Sequence, residues 1–304
     1  MLIDTHAHLN FNAFRDDSSE VLKRTLENDM WVIMPGTQYE TSKKAVEIAE
    51  SASWRRGGVY AAVGLHPIHL GGQRKVDALE TQSSPDSVGE KESWEEFTTR
   101  GEEFDVEKYR ALAQNKKAVA IGECGLDYYY FPQSKVKREK IKEKQKETLQ
   151  KQMDLADELG LPVILHCRVA HEDLIEMLEQ RAKRKEMKIR GVVHCYTGTV
   201  EQVQKFMALG LLIGFNGLIF KNVPALPNPK EVIASIPLDR IVLETDSPYL
   251  APPQAGPPAG GERNEPLFVK YVAEEIARIK KLPFEEVAGA TTQNARKLFE
   301  IDGT

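Results

Sequence analysis

A single-domain (β/α)8 barrel is the fold this sequence predicts, and three observations predict it. Eight short apolar runs recur along the 304 residues, and longer charged stretches with helical spacing separate most of them. Histidines and carboxylates gather at the carboxyl ends of the runs. Repeated alternation of strand and helix points to a parallel sheet. An open doubly wound sheet is the rival, but the Gly-rich phosphate loop expected after its first strand is missing.

In chain order the runs are LIDTHAH (2–8), WVIMPGT (31–37), VYAAVGLHP (59–67), AVAIGECGLD (118–127), PVILHCR (162–168), GVVHCYTG (191–198), LLIGFNG (211–217) and IVLETDSP (241–248). Each is short enough for a strand and is bounded by Gly, Pro or polar residues. Near-continuous apolarity, in place of clean alternation, fits strands covered on both faces. Residues 136–159 form a long charged helix, with Leu149, Gln152, Met153 and Ala156 at helical spacing and Gly160 and Pro162 at its end. Residues 171–185 place Leu174, Ile175 and Leu178 on one face. Asn264 is the expected cap of a last helix running through Phe268, Val272 and Ile276.

Two segments break the rhythm. Residues 71–104 are polar and rich in Ser, Gly and Glu, and read as a long insertion loop between strands 3 and 4. APPQAGPPAGG (251–261) carries four prolines and reads as neither strand nor helix. The strand count needs both sides of each, so residues 1–304 read as one domain.

Forty-six acids against forty-one bases leave a net charge of −5, so no global basic field draws in nucleic acid or membrane. The longest apolar stretches, such as Leu209 to Phe215, fall far below the ~18 residues of a bilayer span. MLIDTHAHLN lacks the basic start and apolar run of a signal peptide. Three cysteines build no disulfide framework. The expectation is a soluble, cytoplasmic protein with no membrane association and no obligate protein partner.

His6, His8, Glu123, His166, His194 and Asp246 all fall at carboxyl ends of expected strands, which a barrel converges on one face. The His6-x-His8 spacing aims both imidazoles the same way on a strand, so they can share a metal. Six nitrogen and oxygen ligands exceed what one tetrahedral ion needs. They predict two divalent ions on the order of 3.5–4 Å apart. Glu123 is the expected bridge, with His6, His8 and Asp246 on one ion and His166 and His194 on the other. Imidazole mixed with carboxylate suits Zn, Mn or Mg. Two such ions outweigh two carboxylates, so the site favours an anion. Arg168, two residues beyond His166, supplies a fork-shaped donor for phosphate oxygens, and His66 faces the same mouth. Cys124, Cys167 and Cys195 each follow a proposed ligand or site residue and are expected to point outward as buried thiols. The lysine run 135–147 reads as a solvated helix face, and Tyr128, Tyr129, Tyr130 and Phe131 as rim aromatics that either stack on bases or pack the loop.

The motifs DTHAHL, GLHP, IGECGLDYYY, LHCR followed by HED, HCYTG, ETDSPYLAP followed by RNEP, and the closing TTQNARKLF resemble, in order, those of the TatD family of metal-dependent deoxyribonucleases. The resemblance spans almost the whole chain. It implies a (β/α)8 barrel that hydrolyses phosphodiester bonds of DNA with divalent metal, as a 3′→5′ exonuclease; the sequence leaves DNA against RNA as substrate open. It carries metal-ligand roles onto the same six residues. Asp246 and Glu123 become the catalytic carboxylates, Asp246 accepting a proton from the attacking water, while His66 and Arg168 orient the phosphate. Cys124 and Cys167 depart from the family pattern without touching the ligand set. The alternatives are an amidohydrolase acting on amides or lactones, a deaminase, and a non-enzymatic metal-binding module. The first often bridges its metals with a carbamylated Lys where Glu123 stands. The second wants a catalytic Glu soon after the fifth strand, where Cys167 and Arg168 stand.

Overall fold

Eight parallel strands close on themselves in a computed structural model that describes residues 1–52, 58–70, 75–76, 97–98, 101–129, 131–186, 188–255 and 263–301. The strands are β1 (Leu2–Asp4), β2 (Met30–Pro35), β3 (Val59–Val63), β4 (Ala118–Asp127), β5 (Val163–Arg168), β6 (Gly191–Val193), β7 (Leu212–Phe215) and β8 (Ile241–Leu243). Each pairs with its sequence neighbours, and Asp4 opposite Leu243 closes the ring. The helices are α1 (Ser18–Glu27), α2 (Tyr39–Ser51), α3 (Val106–Ala113), α4 (Lys135–Leu159), α5 (His171–Lys185), α6 (Val200–Ala208), α7 (Pro229–Ser235), α8 (Val269–Lys280) and α9 (Phe284–Phe299). Among the described residues no helix is long and apolar enough to cross a membrane.

Two apolar layers hold the barrel. Ile3, Ile33, Ala62, Ala120, Ile164, Val192 and Val242 fill its interior, closed by Ala295, Leu298 and Phe299 of α9. The second layer lies between strands and helices. These layers reveal where strand parity changes. Ile3 is interior but Ala7 and Leu9 belong to the outer layer, so the period of two slips after β1 and turns His6 and His8 inward. Ala120 is interior whereas Cys124 and Leu126 lie outside, and the pairing of β4 with β5 shifts between Ile121 and Cys124. That irregularity aims Glu123 at the mouth. In β5 and β6 parity runs on from Ile164 and Val192 to His166 and His194, whereas Asp246 lies three residues past β8 and has a left-handed φ of 59°.

Helix α4 starts at its Ser134 cap and ends on Gly160, whose φ of 67° is left-handed. Most of its 135–147 stretch is solvated, as expected, but Gln145 and Gln152 are buried. Gln152 accepts from Leu65 N at 2.8 Å and donates to Leu65 O at 3.0 Å. Gln145 does the same for Asp127, accepting from N at 2.9 Å and donating to O at 3.0 Å. Two amides thus replace a neighbouring strand for the chain just past β3 and at the end of β4.

Asn264 does not cap the helix that carries Val272 and Ile276. A turn of 3-10 helix, Pro266–Phe268, precedes α8. The Asn264 amide instead donates to Thr245 O and Tyr249 O at 2.9 and 2.6 Å, tying the segment to the strand 8 mouth. Its neighbour Arg263 grips Asp17 through both carboxylate oxygens, at 2.8 and 2.5 Å. Pro253–Ala255 makes one 3-10 turn, and the rest of the Pro/Gly loop, 256–261, lies outside the described residues.

Of the expected insertion, residues 71–74, 77–96 and 99–100 lie outside the described residues. Lys75 pairs with Thr98 and Val76 with Phe97 as antiparallel partners. The C-terminal end is not peripheral. Glu102 N donates to His69 O at 3.1 Å, and the Glu102 carboxylate accepts from Tyr39 N and, at 2.7 Å, from Tyr109 OH. Phe104 is buried. The sequence boundary at 104 therefore runs a few residues too far.

Two outcomes are expected. Replacing residues 72–100 with a short Gly/Ser linker, with Glu102 retained, leaves the melting temperature within a few degrees, because the segment's ends already meet. Asp17, held below the ordinary carboxylate range by the Arg263 hydrogen bonds, contributes stability that is present above about pH 4 and lost as pH falls through its lowered value. Asp17→Asn should cost roughly 0.5–1 kcal/mol at neutral pH, since the pair is partly solvated, and progressively less as pH falls below about 4 in urea titrations.

Candidate metal centre

The chain's ionisable groups converge where the strands end. His8, His66, Glu123, His166, Arg168, His194 and Asp246 line one cleft of about 170 Å3, and His6 lies wholly buried beside it. Glu123 is their common neighbour. Its Oε2 lies 3.3 Å from His6 Nε2 and 3.9 Å from His8 Nε2. Its Oε1 lies 2.9 Å from His166 Nδ1, 3.4 Å from His66 Nε2 and 3.8 Å from His194 Nε2. Asp246 Oδ1 approaches His8 Nε2 to 3.6 Å, and the Nε2 atoms of His6 and His194 to 3.9 Å.

The second nitrogen of each ring decides what the first can do. His8 Nδ1 donates to Pro35 O at 3.1 Å, so neutral His8 turns a lone pair on Nε2 towards His6, Glu123 and Asp246. His194 Nδ1 donates to Glu244 Oε2 at 3.0 Å, leaving Nε2 to face Glu123 and Asp246. Among the described residues His6 Nδ1 is buried without a hydrogen-bond partner, and the ring stacks on His194 at 3.5 Å. His66 differs. Its Nδ1 accepts from Ile68 N at 3.1 Å, which puts the proton on Nε2 and makes the ring a donor into the cleft. His166 sits between two carboxylates, Nδ1 at Glu123 and Nε2 3.2 Å from Asp127 Oδ2.

The carboxylates demand positive charge. Burial opposes it, yet the Asp127 and Glu123 hydrogen bonds raise His166 to about 9. Against the same burial, Glu244 and Asp246 raise His194 to about 10. Burial and the His194 charge push His6 down to about 4. Burial would raise Glu123, but His66, His6 and His166 hold it well below the usual range. A divalent ion displaces such protons and takes the converging nitrogen and oxygen atoms as ligands, so the residues fit a metal.

Among the described residues, three groups could hold an ion: His6, His8 and Glu123; His6, His194 and Asp246; and His66, Glu123 and His166. The division differs from the expected one. His194 falls with His6 and Asp246, because its ring lies flat on His6 while the His166 ring is 6.4 Å away. Glu123 belongs to two groups.

Sequence reasoning passed over Asp127 and Glu244, both buried behind the imidazoles. Glu244 precedes Asp246 by two residues and Asp127 follows Glu123 by four, so the period of two would have reached both. They also cancel the surplus positive charge counted from two carboxylates alone. Cys124 and Cys167 face outward as expected. Cys195 does not: strand β6 has ended, Cys195 has a φ of 46°, and its thiol lies near enough to Asp246 for that carboxylate, after burial, to push it up. Arg168 reaches the rim with its guanidinium 3.7 Å over the Tyr129 ring. Tyr128 packs, its OH donating to Asp173 Oδ2 at 2.8 Å and its ring stacking on Phe131. Tyr130 lies outside the described residues.

Comparison with known proteins places this geometry in a lineage. The family model described as TatD related DNase matches residues 3–300. A protein described as an uncharacterized metal-dependent hydrolase, YabD of Bacillus subtilis (strain 168), is 36% identical over 99% of this chain and 100% of its own length. The 3′-5′ ssDNA/RNA exonuclease TatD of Pantoea vagans (strain C9-1) is 30% identical over 99% of this chain and 100% of its own. Among solved structures, the TatD homolog YJJV of Escherichia coli K12 superposes with a TM-score of 0.74 at 28% identity, covering 99% of this chain and 98% of that one.

Glu244 orients a ring that turns towards the proposed ions, and this has a measurable consequence. Glu244→Ala should weaken Zn or Mn binding by about 10- to 100-fold in calorimetric titration. Glu244→Gln, which still accepts from His194 Nδ1, should weaken it less. Equal affinities in all three proteins would show that the His194 orientation is fixed by other means.

Proposed function

The chain belongs to the TatD related DNase family, and from that premise we propose that it is a metal-dependent hydrolase of phosphodiester bonds in nucleic acid. The proposed activity is 3′→5′ exonucleolytic cleavage of single-stranded DNA, with RNA as the second substrate. The observation that carries this reading is the placing of two anion-directed donors, the His66 Nε2–H and the Arg168 guanidinium, in the cleft that holds the metal-binding groups.

His6, His8, Glu123, His194 and Asp246 would hold one ion, and Glu123 and His166 the second, with Glu123 common to both. When bound, two divalent ions would neutralise phosphoryl oxygens and acidify water. Asp246 is the most exposed of the clustered carboxylates, with its side chain 16% accessible against 5% for Glu123, and its Oδ1 accepts the proton of the attacking water. The His66 Nε2–H donates to a non-bridging phosphate oxygen. Arg168 offers two parallel N–H groups to a second one, its plane fixed against Tyr129. Glu244 and Asp127 keep His194 and His166 in orientation during turnover. A cleft of about 170 Å3 suits one phosphodiester unit at the end of a single strand better than a duplex.

End-labelled single-stranded DNA and RNA, incubated with Mg, Mn or Zn, test the proposal. Products should shorten stepwise from the 3′ end, and chelation should abolish the reaction. Glu123→Gln should lose metal and turnover together. Asp246→Asn should lower kcat by roughly 10²–10⁴-fold. Arg168→Ala should keep its metal and lose about ten- to a hundred-fold in kcat/KM. No cleavage of either polymer with any of the three metals would overturn the reading.

A further inference from the structure

Beside the catalytic cleft lies a larger cavity, about 490 Å3, that the chemistry above does not use. One wall is Tyr196 and Thr197, two and three residues beyond His194, whose ring lines the catalytic cleft, so one short stretch of chain contributes to both cavities. The other wall is the connection after β7, residues 218–230. Its shape is set in advance. Asn216 Oδ1 accepts from Leu218 N at 3.1 Å, Leu226 N donates to Val223 O at 2.9 Å, and Asn228 Oδ1 accepts from Lys230 N at 3.1 Å. Pro224, Pro227 and Pro229 stiffen the run between them. A ligand entering such a cavity orders little chain.

The lining separates into an apolar floor and a cationic rim. The Tyr196 ring is nearly buried and is fixed by its OH, which donates to Thr199 O at 2.7 Å. Phe220 and Leu226 are half-buried beside it. Lys221 and Lys230 stand exposed at the rim. Lys230 Nζ is 3.7 Å from Glu275 Oε1, whereas Lys221 is within ion-pair distance of no carboxylate among the described residues. A flat apolar body with an anionic end fits this arrangement, which is the chemistry of a nucleotide. The catalytic cleft, at about 170 Å3, is too small to take in a base as well as the phosphate, since small-molecule sites usually span ~300–1,000 Å3. The adjoining cavity supplies the missing room.

We infer that the cavity between Tyr196–Thr197 and residues 218–230 is a subsite for the nucleotide next to the scissile phosphate of a single-stranded nucleic acid. The base lies on the Tyr196 and Phe220 floor, and the flanking phosphate meets Lys221. The inference rests on the nuclease reading above. It adds where the substrate's neighbouring nucleotide goes, and it makes chain length a determinant of activity.

Two variants and two substrates test it on the metal-loaded full-length protein. Leu226→Trp narrows the cavity beside Phe220, and Lys221→Ala removes the rim cation. The substrates are a hexadeoxynucleotide and bis(p-nitrophenyl) phosphate, a diester with no flanking nucleotide. Leu226→Trp should raise KM for the hexanucleotide at least tenfold while leaving kcat/KM for the small diester within twofold. Lys221→Ala, which needs no repacking, should raise the same KM and cut its slope against log salt by about 0.7, the loss of one phosphate contact on a single strand. Equal losses on both substrates, or none on the hexanucleotide while the small diester is still cleaved, would overturn the subsite alone. Failure of the wild type to cleave either substrate would overturn the nuclease reading, and the subsite with it.

Discussion

The Glu123 carboxylate lies between 2.9 and 3.9 Å from five of the seven imidazoles in the chain, and the mouth of the barrel is arranged around that crowding. A buried carboxylate is costly unless it is paired, and five rings that are each capable of charge repel one another without it. The surrounding backbone has to approach closely for the group to assemble. A side chain at Gly64 would meet Gly122 backbone at 2.5 Å, and one at Gly125 would meet His166 O at 2.0 Å. The glycines between β3, β4 and β5 therefore let Glu123 and His166 come together, and the shift of register in β4 aims the carboxylate inward. Asp127 and Glu244 then hold the outer edges of His166 and His194.

Much of this was legible in the residues. Eight apolar runs gave eight strands because parallel strands covered on both faces leave an uninterrupted apolar signature. Placing the ionisable residues at strand ends anticipated that these groups converge at one mouth. What escaped was local. The period of two cannot show where it slips, so the inward turns of His6, His8 and Glu123 agreed with expectation for reasons the sequence does not display. Cys195 broke the same rule in the other direction, through a left-handed residue just past a strand end. Asn264 had the residue type of a cap and spends its amide on two carbonyls of a distant loop. The grouping of His194 with His6 depended on which rings stack, and stacking is not encoded in spacing.

On the proposed reading, the two cavities would divide the labour that a polymer substrate sets. The smaller one concentrates buried charge and has little room. The larger one has room, an apolar floor and cations only at its rim. Since residues from His194 to Thr197 contribute to both, the reacting phosphate and its neighbour would be held in fixed relation by the same short stretch of chain. Such rigidity favours accurate placement over breadth of substrate.

The glutamines of α4 carry a different consequence, one for how this chain can change. Most outward positions of that helix accept almost any polar residue, and its packed stripe accepts apolar ones. At Gln145 and Gln152 neither freedom exists, since each must give a proton and take one within the same residue's backbone. Glutamate lacks the donor, lysine lacks the acceptor, and asparagine stops one carbon short. Unlike a carboxylate or an imidazole, an amide keeps both functions at any pH, so the scaffold behind His66 and Asp127 stays indifferent to protonation while the groups in front of it are not. A map of tolerated substitutions along α4 would therefore show Gln145 and Gln152 refusing even the apolar residues that their buried neighbours Leu149, Met153 and Leu155 accept.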